Sequence, residues 1–156
     1  MDASFDDLQQ SYGRCLRDKH FISRFYDIFL ASHPDIAPMF AKTDFGTQRM
    51  ALRHGISAAI MYASGSTLPK RTIENMAKVH GRAGHAPVRP DLYPYWIDSL
   101  VQAVGESDPE ATPALLERWR KGMGIVTRTF TRHYCARMSD GGAGSPDAPK
   151  SSRTRR

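Results

Sequence analysis

His80 and His85 stand five residues apart in MAKVHGRAGHAPVRPDLY (residues 76–93), a stretch broken by Gly and Pro. Two imidazoles at that spacing could ligate a metal, but no second ligand of the usual kind lies near either one. Cys15 and Cys135 are far apart in the chain, which excludes a disulfide framework and a Cys-based zinc site. The chain contains no Gly-rich phosphate loop, no GxSxG elbow, no HExxH and no CxxC. The carboxylate pair Asp6–Asp7 falls at a helix start, where it complements the helix dipole rather than doing catalysis. What remains is three polar residues, each on an otherwise apolar helical face: Tyr26 among phenylalanines, Gln48 one turn before Leu52, and His80 after Ile73 and Met76. A buried polar group without a partner costs about 1–3 kcal/mol. The three are therefore either satisfied within the core or share a ligand.

The elements that must position them are helices. Ser4 can cap a first helix with Phe5, Leu8, Tyr12 and Leu16 on one face. FISRFYDIFLAS follows with an aromatic face, and Pro34 opens a short helical piece, PDIAPMF. A long helix is expected from about residue 44 to 64, another over 68–79 and a third over 89–106. Thr112-Pro113 starts the last helix, marked by Leu116, Trp119, Met123, Val126, Phe130 and Tyr134. About seven unequal helices, with no strand alternation, define an all-α globule rather than a regular bundle.

Composition narrows the class. With 156 residues, 40% hydrophobic and 10% aromatic, the chain suits one globular domain, expected over 1–138. Residues 139–156, SDGGAGSPDAPKSSRTRR, carry no large apolar side chain and read as a disordered basic tail. The richest apolar run, AAIMYA, is far too short to span a membrane, and the acidic MDASFDD does not read as a secretory signal. A cytoplasmic location is expected. The net charge of +6 is partly in the tail and otherwise scattered, with no basic stripe interleaved with aromatics, so nucleic acid is not an expected partner.

Taken in order, these segments resemble the globin family over roughly residues 4–138. FYDIFL followed by HPDIAPMF resembles the family's B helix, C-helix proline and haem-stacking phenylalanine, which is Phe40 here. Tyr26 is similar to the distal tyrosine of bacterial globins, and TQRMAL resembles the start of the E helix, with Gln48 as distal glutamine and Leu52 one turn on. VHGRAGHAPVRPDLYPYWIDSL resembles the proximal histidine, F–G corner and G helix of single-domain bacterial globins and flavohaemoglobins, while Trp119 and Phe130 fit the H helix. The resemblance implies a globin fold and a haem b whose iron is held by His80, with Phe40, Leu52, Met76, His80 and Tyr93 around the cofactor. One axial histidine suffices because the porphyrin supplies four nitrogens. Tyr26 and Gln48 would act as donors to a gas that gains negative charge on binding. His85, past the glycines, is left at the solvent edge.

The implied function is reversible binding of dioxygen, with nitric oxide and carbon monoxide as further ligands. That covers oxygen transport and, as a reaction, nitric oxide dioxygenation (nitric oxide detoxification). With no flavin or nicotinamide domain in the chain, turnover would need an external reductase. In flavohaemoglobins a tyrosine and a glutamate back the proximal histidine. Tyr93 matches the tyrosine, but Ala136 stands at the glutamate's place, so peroxidase-like cleavage is less favoured. The alternative is a haem-based gas sensor or redox signalling globin acting through a separate partner protein.

Overall fold

The computed structural model describes residues 4–84 and 86–140, with side chains to residue 136. Six α-helices carry the described chain: α1 (Asp6–Leu16), α2 (Phe21–Ser32), α3 (Phe45–Ala63), α4 (Lys70–Val79), α5 (Tyr93–Ser107) and α6 (Pro113–Asp140). Two 3-10 turns, Ala37–Phe40 and Pro90–Leu92, complete the helical content. No strand occurs among the described residues. The expected tail lies outside the described residues from residue 141 onward.

Local chemistry explains the boundaries. Asp44 caps α3, its Oδ1 accepting from the Gly46 N–H at 3.0 Å and its Oδ2 from the Thr47 hydroxyl at 3.0 Å. Thr112 caps α6 in the same way, with Oγ1 accepting from the Leu115 N–H at 3.1 Å. The helix expected over 89–106 is divided. Pro94 has no N–H to give to the Pro90 carbonyl, so the Tyr93 N–H takes that carbonyl instead, and the chain tightens into a 3-10 turn before α5 begins. PDIAPMF is likewise reduced to a 3-10 turn with Pro38 in its first positions. Six helices and two turns thus replace the seven helices expected.

α2 lies along α5 as the most extensive helix pair, α6 backs both α3 and α5, and α4 wedges between α3 and α6. The core they share includes Phe21, Phe25, Ile56, Ile60, Ile73, Leu100 and Trp119, all fully buried. Burial of each such side chain contributes on the order of 2 kcal/mol. Gly122 lets α6 approach α1, since a Cβ there would stand 2.9 Å from Leu8 Cδ1.

One polar cluster runs through this core. The Trp119 Nε1–H donates to Ser11 Oγ at 3.0 Å, and the Ser11 hydroxyl donates to Asp108 Oδ2 at 2.7 Å. Arg14 meets the same carboxylate with two N–H groups, at 2.7 and 3.0 Å. Burial alone would raise the Asp108 pKa. Hydrogen bonds from Arg14, Ser11 and the Glu110 backbone outweigh it and hold the carboxyl at about 2. The cluster ties α1 and α6 to the C-terminal end of α5.

Candidate functional site

Tyr26 is presented by α2 into an aromatic cage. Its ring meets Phe25, Phe40 and Phe45 edge-on, with centroids 5.1, 6.0 and 5.5 Å away. Phe40 and Phe45 stack on each other at 6.1 Å, and Phe29 closes the group against Phe40. The Tyr26 ring is buried, and its hydroxyl faces Gln48, donating to the backbone carbonyl at a long 3.5 Å and standing within hydrogen-bond reach of the Gln48 side chain. The carbonyl contact is at the outer limit of a hydrogen bond, so the hydroxyl keeps most of its donor capacity. Burial pushes its pKa above the ordinary tyrosine value, partly countered by Gln48 and Arg49, and the group stays protonated at neutral pH. Gln48 itself is half buried, as is Leu52 one turn further along α3.

His80 is built differently. It stands one residue past the end of α4, its N–H still bonded to the Met76 carbonyl at 2.9 Å. The following corner folds back on it: the Ala86 N–H returns to the Val79 carbonyl and the Val88 N–H to the His80 carbonyl, each at 3.0 Å. Inside that double return, His80 Nδ1 lies 3.1 Å from the Ala86 carbonyl oxygen. A carbonyl can only accept, so Nδ1 carries a proton, and in the neutral imidazole the lone pair is then on Nε2. The fold back depends on Gly84, where a Cβ would stand 2.2 Å from both the Lys78 and Val79 carbonyl oxygens. Only a residue without a side chain fits.

Beyond the corner, the His80 ring meets Phe130 of α6 at 5.9 Å, and Phe130 meets Tyr93 of α5 at 5.9 Å. Tyr93 is buried, which raises its hydroxyl pKa well above the ordinary value. One turn along α5, Trp96 meets Phe25 of the Tyr26 group at 6.1 Å. Residues three apart on a helix share a face, so α5 brings the two groups within one turn of each other. Phe40, Phe45, Leu52, Met76, Val88, Trp96 and Ile97 are apolar and only half buried.

No family model matches the chain. It is 27% identical over 115 residues to a flavohemoprotein of Bacillus subtilis, covering 69% of this chain and 27% of that one. The chain thus spans about a quarter of that curated relative's length. A solved structure from Pseudomonas aeruginosa, described as structurally highly homologous to a human hemoglobin, superposes with a TM-score of 0.78. It is 37% identical, with 83% of this chain and 96% of that chain covered. The chain belongs to the globin family.

Within this globin, Tyr26, Phe40 and the Gln48 backbone come together in one group, and His80 joins Tyr93 through Phe130 in the other. His85 lies outside the described residues. Ala136 is exposed on α6, and the polar residue that α6 turns toward the corner is His133, beside Gly81. His133 was not among the residues singled out by pattern, although its i+3 relation to Phe130 puts both on one face. Neither was the Ala86 carbonyl, which no side-chain pattern announces. An open groove of about 320 Å³ between α5 and α6 borders Tyr93, Ile97, Arg128 and Arg132, but includes neither Tyr26 nor His80. No group of three metal-ligating side chains occurs among the described residues.

Proposed function

We propose that this globin binds haem b through His80 and holds a diatomic gas, dioxygen above all, beneath Tyr26. The observation that carries the reading is the bond from His80 Nδ1 to the Ala86 carbonyl, which selects the neutral tautomer with its lone pair on Nε2, on the side of the ring turned away from Ala86. The donor set fits the cofactor. A lone imidazole cannot make a protein-only metal site, but it completes a site in which a macrocycle supplies the other nitrogens. The half-buried apolar side chains of α3, α4 and α5 suit a flat apolar partner. When bound, haem supplies an iron with one position open to small gases.

The rest falls to the chain's own side chains. Phe40, Leu52 and Met76 would pack against the macrocycle and exclude water from its faces. Tyr26, still protonated, offers its O–H to a ligand that gains negative charge, and Gln48 offers its amide N–H from α3. Nitric oxide and carbon monoxide would enter the same space. Dioxygen held by these donors is also the substrate for nitric oxide dioxygenation. The flavohemoprotein relative joins flavin and haem in its name, which supports a flavin reductase as the electron source here. The free thiols Cys15 and Cys135 agree with a reducing, cytoplasmic setting, and no helix among the described residues is long and apolar enough to cross a membrane.

Purified protein titrated with hemin tests the reading directly. A Soret band is expected, and a colourless protein after haem supplementation would sink it. Oxygen dissociation rate and nitrate yield, measured with added nitric oxide and a reductant, then separate a carrier from a dioxygenase.

A further inference from the structure

Among the described residues, one buried side-chain nitrogen has no hydrogen-bond partner: Nε2 of His133 on α6. The neighbouring ring atom, Cδ2, lies 3.0 Å from the point where a Cβ on the buried Gly81 would stand. The Ala77 and Lys78 carbonyl oxygens are 3.1 and 3.3 Å from the same point. The Nε2 edge of the ring, Gly81 and the carbonyl end of α4 therefore share one small volume. The Gly81 N–H goes to the Lys78 carbonyl at 3.2 Å, which leaves the Ala77 carbonyl without its ordinary i+4 donor. A buried orphan nitrogen and the electronegative end of a helix, here at the buried Ala77, are complementary.

We propose that His133 is a positioning residue for His80, its Nε2–H tethering the carbonyl end of α4 to α6 through one buried water. The Ala77 and Lys78 carbonyl oxygens would give such a water its acceptors, and Nε2–H its donor. His80 is three residues beyond Ala77 and one before Gly81, so the tether sets where the corner starts and how the imidazole is aimed. This inference rests on His80 being the haem ligand, and the two can fail separately.

The test compares His133→Leu, which removes the donor, with His133→Gln, which restores an N–H. In the haem-free chain, amide hydrogen exchange is read at Ala86 and Val88, whose N–H groups close the corner. His133→Leu is expected to speed that exchange about tenfold relative to wild type, and His133→Gln to recover most of it. In the haem-loaded protein, the iron–histidine stretching band of the ferrous form should shift in His133→Leu and return in His133→Gln. A folded His133→Leu chain with wild-type exchange and a wild-type band overturns the role of His133. So does a His133→Gln chain that behaves as His133→Leu does. A wild-type chain that takes up no haem would instead remove the haem reading, leaving the exchange experiment to decide on His133 alone.

Discussion

On the α2–α3 side of the site, the functional side chain sits inside a helix and is held by rings: Tyr26 is surrounded by Phe25, Phe40 and Phe45, and its hydroxyl turns only to Gln48. On the α4–α5 side, His80 stands beyond its helix and is held by backbone, through the Ala86 carbonyl and two returning N–H groups. Packing tolerates a change of polarity at a ring edge, whereas a backbone clasp tolerates almost no change of path. Substitutions on the first side should alter ligand behaviour while leaving the cofactor in place. Substitutions on the second should release the cofactor.

The strongest contrast is expected at the ligand itself. His80→Ala should weaken haem binding at least about 100-fold, beyond the cost of losing an outer partner of a metal ligand, while His85→Ala leaves it near wild type. Equal losses in hemin titrations of the two variants would mean that the wrong imidazole has been chosen. Tyr26→Phe removes a donor to a partly charged ligand and should speed oxygen dissociation about 10–100-fold with haem retention unchanged. An unaltered off-rate in stopped-flow measurements would take Tyr26 out of the gas pocket and erase the contrast. Gly84→Ala puts a methyl into two backbone carbonyls, so it should cost about 1–3 kcal/mol of stability and loosen haem. If its haem loss matches wild type, the clasp is more compliant than its geometry suggests.

Two smaller effects mark the limits of the comparison. Asp108→Asn, outside both sides, should cost on the order of 2 kcal/mol in urea unfolding and leave the Soret band where it was. The folded pKa of about 2 lies below the unfolded value, so this stabilisation is present above roughly pH 4 and is lost as pH falls from there through 2. A variant whose stability parallels wild type down that range would show the carboxylate to be inert. Arg89 pairs with Asp35 and Asp91 over the corner's surface, but exposed ion pairs contribute little. Haem retention in Arg89→Ala should therefore equal wild type, and a clear loss would mean that side chains as well as backbone clasp the corner.

The division between packing and backbone also explains what could be read from the sequence. Helical periodicity exposes packing, so the buried faces of α2 and α6 and the Tyr26 group were legible in the spacing of Phe25, Phe29, Trp119 and Phe130. Proline chemistry blurred only the edges, at Pro38 and Pro94. The corner was legible as a Gly- and Pro-rich break, but its hydrogen bonds run through carbonyls and N–H groups that every residue possesses. Asp108 sits in a turn sequence, DPEATP, that reads as exposed loop, because nothing local announces that Arg14 and Ser11 arrive from ninety-odd residues away. His133 was masked by the charged residues around it, Arg132 among them.

The Trp119–Ser11–Asp108–Arg14 cluster meets the C-terminal end of α5 and the His80 corner its N-terminal end, and the 15 residues of that helix rise about 22 Å. The strongest polar fastening of the core is thus independent of the place where a prosthetic group would be seated. The hydrogen bonds that join α1, α6 and the end of α5 use no residue of the His80 corner, so a change of aim at His80 would leave them as they are.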